Sequence, residues 1–312
     1  MSRIATISPV MGCSVEDLRT LAKTAEGGGF EAIFSPEVPP FSALTNAQVF
    51  AEATSNIKVG TWITNIYMRQ AVMTAATSLT IQEISGGKMM LGLGVSHKPV
   101  NTRYEIDMGD PVETMRDYVG QVKAFLDGSA SQLTLKRDLP KVPVYIAGLT
   151  KGAATLAGEV ADGLMPYMTT VDYVSTLKGY VAQGAQAAGR DPSEIDITLG
   201  IPSIISDDLE LAQKAGIRGF SPYLNFPFYQ RLMINNGYGD AIDKIRAGEK
   251  PADVFTAEML DSVALVGPPD RCRAKLDEFR DAGVDLPIIV PGPAGKQGNV
   301  EVMQNTVAAY SG

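Results

Sequence analysis

An alternation constrains this fold more than any single motif. Short apolar or β-branched runs are separated by longer amphipathic stretches, and the pair recurs from one end of the chain to the other. Residues 4–8 read as a first strand, followed by a helix over residues 15–27 with Ser14 at its cap and Glu16 and Asp17 in its first turn. Residues 30–34 and 57–63 are the second and third strands, with helices over 46–53 and 71–84. Residues 88–93 form a fourth. The helix over 111–126 then opens on Pro111, which a first turn tolerates because its missing N–H has no helical partner there. Strands five to seven fall at 142–147, 163–165 and 195–200, with helices over 152–161 and 171–188. A long, mostly helical stretch over 208–260 precedes a helix over 268–282 and an eighth strand over 286–290.

Strands alternating with helices give a parallel sheet, and eight such units point to a (β/α)8 TIM barrel; an open, doubly wound sheet shares the same alternation. The extra helical material, about residues 201–266, reads as an insertion between strands seven and eight of a single domain spanning residues 1–312. Its run Pro222-Tyr223-Leu224-Asn225-Phe226-Pro227-Phe228-Tyr229 either covers an active site or a subunit interface, or packs as plain core.

Composition removes several function classes. A net charge of −8 with scattered Lys and Arg argues against nucleic acid and anionic membranes as partners, since both need basic patches. No apolar run approaches the roughly 20 residues that span a bilayer. The start of the chain reads as a strand rather than a secretion signal, and two separated thiols, Cys13 and Cys272, suit a reducing compartment. A cytoplasmic protein is expected. One histidine and no cysteine cluster leave no zinc or iron site; magnesium held by carboxylates stays open.

In a barrel the C-terminal strand ends converge on one mouth, where active sites are built. That places Ser35-Pro36-Glu37, Thr64-Asn65, Ser96-His97, Leu149-Thr150-Lys151 and Pro166-Tyr167 on one rim. His97, the sole histidine, stands where an apolar strand opens into a polar loop, and histidine is the side chain that titrates near neutral pH. Glu37, in a loop stiffened by Pro36 and Pro39, is a second acid/base candidate or a local cap. Gly92-Leu93-Gly94 lacks the third glycine of a dinucleotide fingerprint, and Pro99 follows in place of a helix start. Those glycines either admit a flat ring close to the backbone or serve tight strand packing. The turn Ala147-Gly148-Leu149-Thr150-Lys151-Gly152 offers free amides and a lysine at a helix start, a seat for a phosphate. Trp62, the only tryptophan, either packs on a planar ligand or fills the barrel.

These segments resemble a known family. Ile57 through Arg69, then Ile84-Ser85-Gly86-Gly87-Lys88-Met89-Met90-Leu91-Gly92-Leu93-Gly94, resemble motifs of the bacterial luciferase-like flavin and deazaflavin enzymes. Pro143 through Ala147 with Ala157 through Gly163, and Val266 through Asp270 with Ala282 through Asp285, are similar to their phosphate-site and C-terminal regions. Within that family the chain resembles the branch that uses coenzyme F420, a 5-deazaflavin hydride carrier. The resemblance implies a TIM barrel with a late insertion and a cofactor ring lying against a third-strand bulge at Trp62-Ile63, often with a non-proline cis peptide.

Rim position and resemblance together give an expected cofactor-binding set of Ser35, Trp62, Ile63, Asn65, Gly94, Val95, Ser96, Gly148, Leu149, Thr150, Lys151 and Pro166. His97 matches the place of a catalytic glutamate in sugar-phosphate dehydrogenase relatives. Where those relatives carry an Asp-His pair, this chain has Ser35-Pro36, so a sugar phosphate is not the expected substrate.

The expected activity is hydride transfer between coenzyme F420 and a small organic substrate, with His97 and secondarily Glu37 handling the proton. The alternatives are an FMN-dependent monooxygenase fed by a flavin reductase and a flavin-binding barrel without turnover. A Schiff-base aldolase fails because Lys88 lies at the wrong end of its strand. The resemblance further implies a homodimer, with an F420 or flavin reductase as cofactor supplier.

Overall fold

The alternation closes into a ring. In this computed structural model, which describes residues 3–130 and 138–311, ten strands are formed. They are β1 (Ala5–Ile7), β2 (Ala32–Ser35), β3 (Lys58–Thr61), β4 (Thr64–Asn65), β5 (Met89–Gly94), β6 (Val144–Ile146), β7 (Gly163–Leu164), β8 (Asp196–Ile205), β9 (Leu265–Gly267) and β10 (Leu286–Pro291). The parallel order β10-β1-β2-β3-β5-β6-β7-β8 is closed by the β8–β10 pairing, which makes eight staves and excludes the open sheet.

Around the staves lie α1 (Val15–Gly27), α2 (Ala43–Ala53), α3 (Ala71–Ile84), α4 (Lys98–Arg103), α5 (Pro111–Leu126), α6 (Lys151–Val160) and α7 (Val171–Ala187). The insertion adds α8 (Leu209–Phe220), α9 (Pro227–Asn235), α10 (Gly239–Arg246), α11 (Pro251–Val254) and α12 (Ala257–Asp261). It is followed by α13 (Pro269–Asp281) and α14 (Asn299–Tyr310). Among the described residues no helix is long and apolar enough to cross a membrane.

Four readings of the sequence need correction. The third strand is two pieces, β3 and β4, separated at a cis Trp62–Ile63 peptide. The seventh runs on to Ile205, because its far half pairs with both β10 and β9, a strand with no periodic signature of its own. A helix does start after Gly94: α4 carries Pro99 in its first turn. The C-terminal α14, which packs on α1 and β8, was not anticipated.

The barrel interior is filled by alternate residues of its strands, as the two-residue side-chain period requires. Ala5 and Ile7, Ala32 and Phe34, Met90, Tyr145 and Met165, with Leu286 and Ile288, form one buried cluster against Trp62 and Ile63. The intervening residues, such as Ile33 and Val59, face the helices. A third cluster lies under the insertion. Gly92 serves packing rather than ligand approach: a Cβ there would fall closer than 3.0 Å to the Thr61 carbonyl and the Met165 sulfur. Thr61 Oγ1 donates to the Gly92 carbonyl at 2.8 Å and accepts its N–H at 3.1 Å, bridging β3 to β5 where the ladder breaks.

The N-terminal ends of the staves are tied by charge. Arg3 forks between Glu31 (2.8 Å) and Asp196 (2.8 Å); Lys58 joins Glu31 at 3.0 Å, and the Tyr145 hydroxyl donates to Asp196 at 2.9 Å. Burial opposes ionisation of both carboxylates, yet the Arg3 hydrogen bonds win and hold both below their ordinary pKa. A depressed acid contributes stability above its unfolded pKa, and that contribution is lost as pH falls through the folded value. The fold should therefore lose stability below about pH 4. Arg3→Gln should move the acid-unfolding midpoint, followed by circular dichroism, to higher pH; an unmoved midpoint would make the cluster a solvated ornament.

Candidate active site

At the C-terminal ends of the strands a cavity of about 1300 Å³ opens under the insertion. Binding sites for small molecules commonly occupy roughly 300–1000 Å³, so this one has room for a tricyclic ring and a second molecule. Its walls are apolar: Ile7, Val10, Ile63, Val95, Met165 and Val290 come from the strand ends, and Tyr223, Phe226 and Phe228 from the insertion.

One side of the cavity is the break in the third stave. Trp62 and Ile63 line it; a Cβ on Gly94 would press on Ile63 at 2.6 Å, so the glycine lets the two strands close there. The Trp62 indole meets Tyr167 edge-on at 5.2 Å, and its N–H is buried without a partner among the described residues.

Behind the break, Glu37 and Asn65 work as supports. The Asn65 amide N–H donates to Glu37 Oε2 at 3.0 Å, and Asn65 Nδ2 donates to Asn101 Oδ1 at 2.9 Å. Asn101 in turn donates to the Val95 carbonyl at 2.8 Å, which ties the break to the loop carrying His97. Glu37, 6% exposed and 3.9 Å from Arg69, has its pKa raised, burial outweighing the Asn65 N–H and Arg69. Neither Glu37 nor Asn65 lines the cavity. Ser35 also lies outside its lining and accepts from Asn46 Nδ2 at 3.0 Å, while the Pro166 carbonyl accepts the Gly200 N–H at 2.9 Å.

His97 does face the cavity. It follows Ser96, whose φ of 57° turns the chain sharply out of β5. The imidazole stacks on Phe226 with centroids 4.5 Å apart and planes 10° from parallel, and Tyr223 stands edge-on at 6.5 Å. Partial withdrawal from water among these rings lowers its pKa, so the imidazole is neutral at neutral pH.

Opposite the break, α6 begins. Thr150 caps it by accepting the Ala153 N–H, and Gly148, Leu149, Thr150 and Ala153 line the cavity. Among the described residues the amides of Gly148, Leu149 and Thr150 donate to no protein carbonyl. With the positive end of the helix beside them, they could hold an anion. Lys151 turns away, its ammonium 5.7 Å over the Tyr180 ring, and is outside the lining.

The structure thus brings together Trp62, Ile63, Gly94, Val95, Ser96, His97, Gly148, Leu149 and Thr150, and leaves Ser35, Glu37, Asn65, Lys151 and Pro166 behind or beside them. Pro36, placed on the rim, does line the cavity. Sequence reasoning missed Pro9, Met11 and Val290, which the rim argument would have found at the ends of their strands. It also left the role of the Tyr223–Tyr229 run open; these residues are both cavity wall and core of the insertion.

A slot with apolar faces and open amides at one end can hold a flat ring with an acidic tail, and His97 stands beside it. Known proteins agree with this architecture. Residues 3–286 match the family model of luciferase-like monooxygenases. The 5,10-methylenetetrahydromethanopterin reductase of Methanolobus tindarius is 30% identical over 300 residues, covering 88% of this chain and 89% of the relative. The coenzyme F420-dependent tetrahydromethanopterin reductase of Methanopyrus kandleri has the same fold, with TM-score 0.80, 19% identity and coverage of 99% and 98%. So does the oxygenating constituent of 3,6-diketocamphane monooxygenase of Pseudomonas putida, solved with FMN, with TM-score 0.73, 16% identity and coverage of 99% and 97%. The chain is an enzyme and belongs to the luciferase-like monooxygenase family.

Proposed function

We propose that this protein is a coenzyme F420-dependent oxidoreductase acting on a small organic substrate, with His97 giving or taking the proton that accompanies hydride transfer. The observation that carries the reading is the pairing of the apolar slot at Trp62–Ile63 with the open amides of Gly148, Leu149 and Thr150. A deazaflavin needs both, because the faces of its flat ring are apolar and its tail carries a phosphodiester. The likeness to a methylenetetrahydromethanopterin reductase, and the fold shared with an F420-dependent one, support the deazaflavin over other ring systems.

The bound cofactor would supply the hydride chemistry. The chain's own residues do the rest. Ile63 and Val95 flank the ring space, the α6 amides hold the anion, and the aromatic insertion excludes water. His97, its pKa lowered by the rings beside it, can accept a proton when substrate is oxidised and return it in the reverse direction.

The fold shared with an FMN complex favours a second reading, an FMN-dependent monooxygenase using the same slot. One titration separates the two. Trp62 is the only tryptophan and lines the cavity, so its emission reports the site alone. Coenzyme F420 is expected to quench it saturably at micromolar concentration, with FMN much weaker. Saturable quenching by FMN and none by F420 would replace the first reading with the second.

A further inference from the structure

His97 is held by a residue that never touches the cavity. Asn101, on α4, is fully buried and lies outside the cavity lining. Its backbone N–H donates to the His97 carbonyl at 3.1 Å, and its side-chain Nδ2 donates to the Val95 carbonyl at 2.8 Å. Those two carbonyls bracket Ser96 and His97. The Val95 carbonyl fixes the peptide plane that enters Ser96, whose φ of 57° aims the chain out of β5. A residue other than glycine keeps such a φ where its surroundings enforce it. One asparagine thus sets both ends of the turn that carries the imidazole.

The far end of the same side chain reaches the ring slot. Asn101 Oδ1 accepts from Asn65 Nδ2 at 2.9 Å, and Asn65 Oδ1 accepts the Tyr67 N–H at 3.1 Å. Asn65 lies in β4, opposite Gly94 in the ladder, and its own N–H is held by Glu37 at 3.0 Å. A backbone acceptor at one end of this chain, Val95, and a backbone donor at the other, Tyr67, leave both amides a single orientation. Buried and fully engaged, such a pair costs most when one partner is removed.

Nothing else directs the imidazole. Among the described residues no side-chain hydrogen bond orients it, and its ring contacts are with Phe226 and Tyr223. Its direction is inherited from the backbone that Asn101 clamps.

We propose that Asn101 is a positioning residue: by clamping the Ser96–His97 turn and anchoring it to Asn65, it keeps the imidazole in fixed register with a ring held at Ile63. Giving His97 the proton rests on the oxidoreductase reading; the clamp does not depend on the cofactor.

The test exploits the sole histidine, whose imidazole protons are single NMR signals and whose carbethoxylation by diethyl pyrocarbonate is followed by ultraviolet absorbance. In the wild-type protein the face of Phe226 should shield both protons upfield of free histidine. Asn101→Leu, which keeps the volume and removes both side-chain bonds, should move them towards the free position. It should also speed carbethoxylation about 5-fold, the change in population worth one net hydrogen bond. Asn101→Ser, too short to make either bond, should do the same, and carries the test if Asn101→Leu does not fold by circular dichroism. Coenzyme F420 should slow carbethoxylation of the wild-type protein and protect the variants much less, while still quenching their Trp62 emission. A purely structural asparagine would not separate these two readouts. Unchanged His97 signals and reactivity in a folded variant overturn the proposal. So does a loss of Trp62 quenching as large as the change at His97, which would make Asn101 a brace of the wall alone. No quenching of wild-type Trp62 by F420 would remove the cofactor reading, and the signals of the unliganded proteins would still decide on the clamp.

Discussion

His97→Ala is expected to lower turnover about 100-fold, the low end of what a positioned acid or base contributes and about 2.7 kcal/mol of barrier. Cofactor affinity, read by Trp62 quenching, should hardly change, because the ring slot is built at the break in the third stave and the anion seat at α6. Removing the imidazole also removes its stack on Phe226, so the companion variant His97→Phe matters. It keeps the stack and loses the proton, and should be as slow as His97→Ala.

The pH profile gives the same answer by sign. Partial desolvation beside Phe226 and Tyr223 lowers the His97 pKa beneath its ordinary 6.5. When substrate is oxidised, the neutral imidazole is the competent form, so the rate should rise with pH through that lowered value and then level off. When substrate is reduced, the imidazolium is competent, and the rate should fall through the same region. Either limb disappears in His97→Ala. Full turnover in that variant, with cofactor still bound, would take the proton away from His97.

Gly184→Ala is expected to destabilise the fold by about 2 kcal/mol, although alanine is the better helix former. The two effects oppose each other. Helix propensity favours alanine by about 1 kcal/mol. Against that, a Cβ on Gly184 in α7 would fall closer than 3.0 Å to the Thr155 carbonyl oxygen and carbon of α6. Gly158 meets the Val181 carbonyl and Ala185 amide of α7 in the same way. These contacts are backbone, which cannot rotate aside, and overpacking of this kind costs about 3 kcal/mol. Sterics win.

Because α6 carries the anion seat, separating it from α7 should also weaken cofactor binding. The control lies on the same helix. A Cβ on Gly179 meets nothing within 4 Å, so Gly179→Ala should stabilise by about 0.5–1 kcal/mol. Urea unfolding midpoints of the two variants should move in opposite directions, and equal shifts would show that the close helix approach is not what Gly184 provides.

Much of the barrel was legible because its signals are local. The capping box of Ser14 and Asp17, Pro111 at the start of α5, and alternate small and large residues in β1 and β2 act within a turn or along one strand. Elements without such a signal were missed or cut short. β9 is three residues long and exists by pairing with β8, and the extension of β8 beyond Gly200 depends on the same partner. The helix after Gly94 was discounted for its proline, yet a first-turn proline has no helical N–H to lose.

By itself the sequence determined the stave-and-helix order, the mouth as the place of the site, and His97 and the α6 turn as residues on its rim. Periodicity and strand polarity settle those without knowledge of distant neighbours. Only the tertiary structure decided which way each side chain turns once there. Glu37 and Asn65 look like site residues from their position, but hydrogen bonds to Asn65 and Asn101 draw them behind the wall. Tyr223 and Phe226 read equally as a cover over the site or an interface and as core, and closure of the insertion over the mouth sets them against Tyr167 and His97. Such contacts join segments far apart in the chain, and their geometry is fixed by packing and not by any local pattern.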